Sequence, residues 1–156
     1  MDYFLILDNY NKFSLSDFFQ ILSCYPKKRV GLVTLEELCA IDEYPNGLYL
    51  FFNNENELWY VGKATSRSFI ERIPAHFDQR EIAWFNTLPK KVMKFCGIQT
   101  YRAALNKSLS LKLLIIGIQD KNSAMKLETV LRSYLQPKLN SCKGNYDSVQ
   151  PIENFL

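Results

Sequence analysis

The chain has little of several things. Of 156 residues only six are glycine and six are proline, too few for a collagen or a long flexible linker. Charged residues make up 22% and hydrophobic residues 47%, which excludes disorder as a whole-chain state. The longest apolar run, Leu111 to Ile118, contains Lys112 and falls well short of the roughly 20 residues of a membrane-spanning helix. The opening Met1-Asp2-Tyr3-Phe4-Leu5-Ile6-Leu7-Asp8 has no basic start, no long apolar stretch and no small-residue cleavage site. A secretory signal is therefore not expected, and a cytoplasmic protein without membrane contact is. Cys24, Cys39, Cys96 and Cys142 form no C-x-x-C pair and the one histidine is His76, so reduced thiols are expected rather than a zinc site.

What is present is the length of one ordinary domain, about 100–200 residues, and an uneven charge. Residues 1–60 hold 4 Lys/Arg and 9 Asp/Glu, whereas residues 61–112 hold 10 Lys/Arg and 3 Asp/Glu. A positive middle third points to a polyanionic partner, or else to a solvated basic face. Lys90, Lys91, Lys94, Arg102 and Lys107 fall in it, near Trp84, Phe85 and Tyr101. Residues 1–44 are net negative and are expected to pack on the rest of the domain, on a second copy in a homodimer, or on a protein partner.

Local signals give an order of elements. Ser14-Leu15-Ser16-Asp17 caps a helix that Tyr25-Pro26 ends, and Thr34-Leu35-Glu36-Glu37 is a capping box for a second. Tyr44-Pro45-Asn46-Gly47 is a turn and the expected internal boundary. Gly47–Phe52 and Leu58–Val61 read as a hairpin around Asn53–Asn56. Ser68-Phe69-Ile70-Glu71 opens another helix, with Pro89 expected to close the helical stretch after it. Residues 99–109 read as weakly helical and Leu111–Ile118 as a buried strand. Leu127, Val130, Leu131, Tyr134 and Leu135 mark one stripe of a last helix, capped by Asn122 or Ser123 and stopped by Pro137. The expectation is an α+β domain: a small three-stranded antiparallel sheet flanked by helices over residues 45–145. A helical N-terminal extension (1–44) and a C-terminal tail (146–156) complete it.

Gly47-Leu48-Tyr49, then Tyr60-Val61-Gly62-Lys63, Arg72 with His76, Glu128, and Pro137 with Asn140 together resemble the motifs of the GIY-YIG endonuclease superfamily. The resemblance spans residues 47–140. It implies a hydrolase that cuts phosphodiester bonds of DNA, with RNA the other candidate, using Mg²⁺ (or Mn²⁺) held by Glu128. It also implies that Tyr49 or Tyr60 helps to activate water, that Arg72 and His76 take part in catalysis, and that Gly47, Gly62 and Asn140 are supportive. Lys63, Arg67, Lys90, Lys91 and Lys94 are the expected phosphate-binding residues.

The chemistry suits those residue types. Guanidinium is always protonated and forks onto two oxygens, which fits Arg72 to developing phosphoryl charge. His76 has the side chain whose unperturbed pKa lies nearest neutrality. A tyrosine, with a pKa of about 10, needs nearby positive charge to act as a base. Mg²⁺ keeps several waters and manages with one protein carboxylate plus phosphate oxygens. Each residue also has a plainer reading: Glu128 as a surface partner of Arg132 four residues on, the tyrosines as sheet aromatics, His76 as a structural histidine. Glu128 is expected at the edge of the apolar stripe, outside the core. Pro74, between Arg72 and His76, is expected to kink the helix or delay its start. Two rival functions remain: a catalytically silent nucleic-acid-binding module of the same fold, and a protein-interaction role.

Overall fold

The computed structural model describes residues 1–83, 87–140 and 150–156. In chain order its elements are β1 (Phe4–Ile6), α1 (Leu15–Cys24), β2 (Lys28–Arg29), α2 (Leu35–Cys39), β3 (Asn46–Phe52), β4 (Leu58–Ala64) and α3 (Phe69–Arg72). There follow α4 (Thr87–Cys96), α5 (Tyr101–Leu109), β5 (Lys112–Ile118) and α6 (Lys121–Leu135), with short 3-10 turns between. Among the described residues no helix is long and apolar enough to cross a membrane.

The fold is α+β, built on one open mixed sheet. The strand order is β1-β5-β3-β4, and β2 also pairs with β5. β3 and β4 form the expected hairpin, with Tyr49 opposite Gly62 and Phe51 opposite Tyr60, and Asn56 takes the left-handed turn conformation at φ 61°. β5 lies antiparallel along the other side of β3. One face packs Leu48, Leu50, Phe52, Val61, Leu114 and Ile116 against apolar residues of α1 and α6. The other packs Tyr49, Phe51, Leu113 and Ile115 against residues from α3, α4 and the turn after α3.

The sheet corrects the expectation of three antiparallel strands. It has five, and β1 runs parallel to β5, pairing Phe4 with Ile115 and Ile6 with Gly117. A buried strand cannot leave its backbone polar groups unpaired, and β3 serves only one side of β5. The three-residue Phe4-Leu5-Ile6 and two-residue Lys28-Arg29 segments serve the other. Segments that short have no period to read, so residues 1–44 were expected to be helical. They hold two helices and also two strands of the same sheet. The C-terminal residues 150–156 pack likewise, with Ile152 buried and its N–H bonded to the Phe13 carbonyl at 3.0 Å.

Two helix boundaries also differ from expectation. Pro89 does not close a helix; it lies in the first turn of α4, where its missing N–H costs nothing. Asp120, not Asn122 or Ser123, caps α6, accepting from the Ser123 N–H at 2.6 Å. Ser14 and Thr34 cap α1 and α2 as expected, and Ser68 with Glu71 forms the capping box of α3.

Candidate active site

The pieces of the motif set meet at the outer edge of the sheet, around β4. Gly62 shows why local sequence and packing agree there. A Cβ on Gly62 would sit 2.2 Å from Cζ of Tyr49, so glycine is what lets the Tyr49 ring lie across β4. A Cβ on Gly47 would sit 2.0 Å from the Ile116 carbonyl oxygen, so glycine lets β3 close onto β5. Asn140 holds the outer edge of β4. Its Oδ1 accepts from the Val61 N–H at 2.7 Å and its Nδ2 donates to the Val61 carbonyl at 3.0 Å. The side-chain amide thus continues the ladder where a further strand would otherwise pair.

On one face of the edge sit the tyrosines and the histidine. The Tyr49 hydroxyl lies 2.9 Å from Nε2 of His76, both residues buried. The Tyr60 ring packs 5.5 Å from the His76 ring and 6.3 Å from the Tyr49 ring. Tyr49 is 0% exposed and Tyr60 9%, so Tyr60 is the tyrosine closer to solvent. Pro74 explains how Arg72 and His76 both reach this cluster. α3 ends at Arg72, and a 3-10 turn over Pro74–Phe77 begins with the proline and buries His76. The expected break in the helix is present.

The electrostatics favour neutral forms. Burial raises the pKa of Tyr49, the neighbouring Tyr60 adds to it, and Arg72 works against both. Burial likewise raises Tyr60, opposed first by Arg72. Burial, then the charges of Arg72 and Lys91, push His76 down to about 4. At neutral pH the site therefore holds two phenols and an uncharged imidazole, not a ready phenolate.

On the other face, Glu128 projects from α6. The structure corrects its expected position outside the core: it is 6% exposed. Its Oε2 accepts from Lys63 Nζ at 2.9 Å and its Oε1 from Arg132 at 3.0 Å. The plainer reading, an i,i+4 pair with Arg132, is thus present together with the long-range pair to β4. The charges of Glu128 and Arg132 are felt at Tyr60, which ties the two faces together across the edge strand.

Among the described residues no group of three or more His, Cys, Asp or Glu side chains could hold a metal ion. A divalent ion here would have Glu128 as its one protein carboxylate. The donor set fits a Mg²⁺ that takes the rest of its shell from water and phosphate. Two of the roughly four lone-pair positions of the carboxylate are used by Lys63 and Arg132.

The expected phosphate-binding residues divide. Lys63 is in the site. Lys91 lies over the Tyr60 ring, 5.1 Å from its centre. Lys91 and Lys94 line a concavity beside the site with Lys138 and Asn140; Lys90 does not line it. Arg67 is exposed in the segment after β4. Lys107 lies over Trp59 at 5.7 Å. Tyr101 is buried, its hydroxyl donating to the Asp78 carbonyl at 2.8 Å. Trp84 and Phe85 lie outside the described residues. Sequence reasoning did not single out Lys138 or Phe95, and gave Arg132 only a surface role. The i+4 spacing from Glu128 pointed to Arg132; no local signal marks the other two.

Comparisons with family models, with curated proteins and with solved structures find no match to this chain.

Proposed function

We propose that this chain is a divalent-metal-dependent endonuclease of the GIY-YIG kind, hydrolysing phosphodiester bonds of DNA. The observation behind the reading is the convergence, at one sheet edge, of Tyr49, Tyr60, Lys63, Arg72, His76 and Glu128, which come from four separate segments of the chain. The β4-β3-β5 order with α3 and α6 flanking it is compatible with that family's fold, β1 and β2 being additions.

In this reading Arg72 and Lys63 hold the non-bridging oxygens of the scissile phosphate, where negative charge grows. Lys63 would turn from Glu128 to the phosphate as substrate arrives. The hydroxyl of Tyr60 orients the attacking water. As the water gives its proton to Tyr60, Tyr60 passes its own to Tyr49, and Tyr49 passes its own to Nε2 of His76. The resulting hydroxide attacks phosphorus and the bond to the leaving oxygen breaks. His76 is unprotonated at neutral pH and offers its Nε2 lone pair to that proton, while burial and Arg72 keep it a weaker base than a free imidazole. An ion bound at Glu128 would supply Lewis-acid stabilisation of the phosphoryl and leaving oxygens.

The test is nicking of supercoiled plasmid, and of an RNA of matched length, by the wild-type chain and by Glu128→Gln, each with Mg²⁺ and with chelator. The expected result is cleavage by wild type with Mg²⁺ alone. Binding of either nucleic acid without any cut would make the chain a silent binding module, and neither binding nor cutting would leave a protein-interaction role.

A further inference from the structure

A groove runs on from the candidate site. It is a cavity of about 480 Å³ lined by Lys91, Lys94, Phe95, Lys138, Leu139 and Asn140. Lys91 belongs to both, since it also covers the Tyr60 ring, and Asn140 is the residue that clamps β4 at Val61. Whatever fills the groove is therefore continuous with whatever sits at Tyr60. Three lysines line it. Lys138 pairs with Glu57 at 3.3 Å, both about half exposed, an arrangement that a phosphate can displace at small cost.

The groove also presents an aromatic ring. Phe95 is 49% exposed although α4 buries Leu88 and Val92 beneath it. It is held edge-on against Trp59, ring centres 5.4 Å apart and planes at 80°. Trp59 is itself fixed by its Nε1–H to Glu57 at 3.3 Å and by the Leu139 N–H on its carbonyl at 2.9 Å. The ring is thus pre-positioned, with lysines around it.

We infer that this groove binds a single-stranded nucleic-acid segment, one base stacking on Phe95 and its neighbouring phosphates meeting Lys91, Lys94 and Lys138. The inference deepens the nuclease reading and rests on it. It names the substrate class: nucleic acid with an unpaired strand beside the scissile phosphate. Lysines track a backbone without reading sequence, and an aromatic face accepts any base. A cavity of this size has the volume of a small-ligand site and admits a nucleotide or two. The bases of a duplex already spend their faces on one another, so Phe95 adds nothing to duplex binding.

The experiment measures affinity by fluorescence anisotropy, in chelator, with gels confirming that the oligonucleotides stay whole. The probes are a blunt duplex and the same duplex with a single-stranded overhang. The proteins are wild type, Phe95→Ala, Phe95→Tyr and the Lys94→Ala/Lys138→Ala double variant. Phe95→Ala should weaken overhang binding about tenfold and leave blunt-duplex binding unchanged. Phe95→Tyr, which keeps the ring, should bind as wild type does. The double lysine variant should lower the salt dependence for the overhang by about 1.4, two contacts at roughly 0.7 each. Equal losses on both probes would make the groove a duplex track and overturn the inference. Wild-type cleavage of plasmid with unchanged overhang binding by Phe95→Ala would overturn the inference alone. No binding of either probe by wild type would overturn it together with the nuclease reading.

Discussion

The hydroxyl of Tyr49 and Nε2 of His76 meet at 2.9 Å, both residues buried in the fold. One residue comes from the first motif on β3; the other, 27 residues later, comes from a 3-10 turn that Pro74 starts. In the proposed mechanism this pair is where the proton comes to rest. Tyr49→Phe keeps the ring that fills the space over Gly62 and removes only the hydroxyl. Tyr49→Phe, Tyr60→Phe and Arg72→Ala should each lower the cleavage rate by about 10²-fold or more, measured in single-turnover plasmid nicking. If both Phe variants cut at the wild-type rate, the relay does not exist.

The buried imidazole gives a pH dependence of known sign. The folded chain holds His76 at about 4, below the usual value of about 6.5 in the unfolded chain. Between those values the unfolded state binds the extra proton, so stability rises with pH across the window. The contribution is complete above about pH 6.5 and falls away as pH drops towards 4, by on the order of 3 kcal/mol. Thermal melts of wild type and His76→Gln between pH 4 and 7.5 should converge on the acid side. In cleavage, His76 should impose no inflection between pH 5 and 8. Nor should the tyrosines, which the relay uses as neutral phenols and which burial holds above their ordinary values, so the rate should stay flat across that range.

Glu128 carries both a chemical and a structural expectation. Glu128→Gln should abolish Mg²⁺-dependent cleavage. It should also cost stability, because Lys63 and Arg132 both lose a charged partner. Each of these is about one-third exposed, which limits the loss to about 1–2 kcal/mol. Denaturant titration of Glu128→Gln and of Lys63→Met/Glu128→Gln should show the double variant recovering part of the loss. A single variant as stable as wild type would mean that the ion pairs contribute nothing.

The basic residues near the N-terminus should matter less for nucleic-acid binding than those of α4. Lys27 lies over the Phe52 ring at 4.5 Å and donates to the carbonyls of Ser23 and Tyr25, and Lys28 pairs with Glu37. Two of the three basic side chains in Lys27-Lys28-Arg29 are thus committed within the fold. Lys91→Ala/Lys94→Ala should reduce the log–log salt slope for binding of the overhang probe, by about 0.7 for each lost single-strand phosphate contact. Arg29→Ala should change it less. The reverse order would place the binding surface on the N-terminal segment.

Gly62→Ala tests the geometry of the hairpin. The new methyl would meet the Tyr49 ring at 2.2–2.4 Å, so the ring must move away from His76. Destabilisation of about 1–3 kcal/mol and loss of cleavage are expected together, read by thermal melts and nicking.

Much of this was legible in the chain itself. The hairpin, the caps at Ser14, Thr34 and Ser68, the buried β5 and the amphipathic α6 all announce themselves within a dozen residues, because capping and periodicity are local properties. Tyr49, Tyr60, Arg72, His76 and Glu128 were nominated by the resemblance of an ordered motif set spread over residues 47–140. Other features depend on partners far away in sequence. That Phe4–Ile6 is a strand follows from the unpaired side of β5, more than 100 residues later. That Glu128 is buried follows from Lys63 arriving from β4 to neutralise it. That the tyrosines are phenols and His76 is uncharged follows from burial, which only packing decides. The Phe95 groove is the clearest case. Its lining comes from α4 and from the segment after α6, and no periodicity in either stretch foretells that the two will face each other beside Tyr60. Local sequence sets which chemical groups are available and which short segments are helix or hairpin. The tertiary structure alone decided their charge states, their neighbours and the shape of the surface beside them, because solvation and contact are properties of the assembled chain.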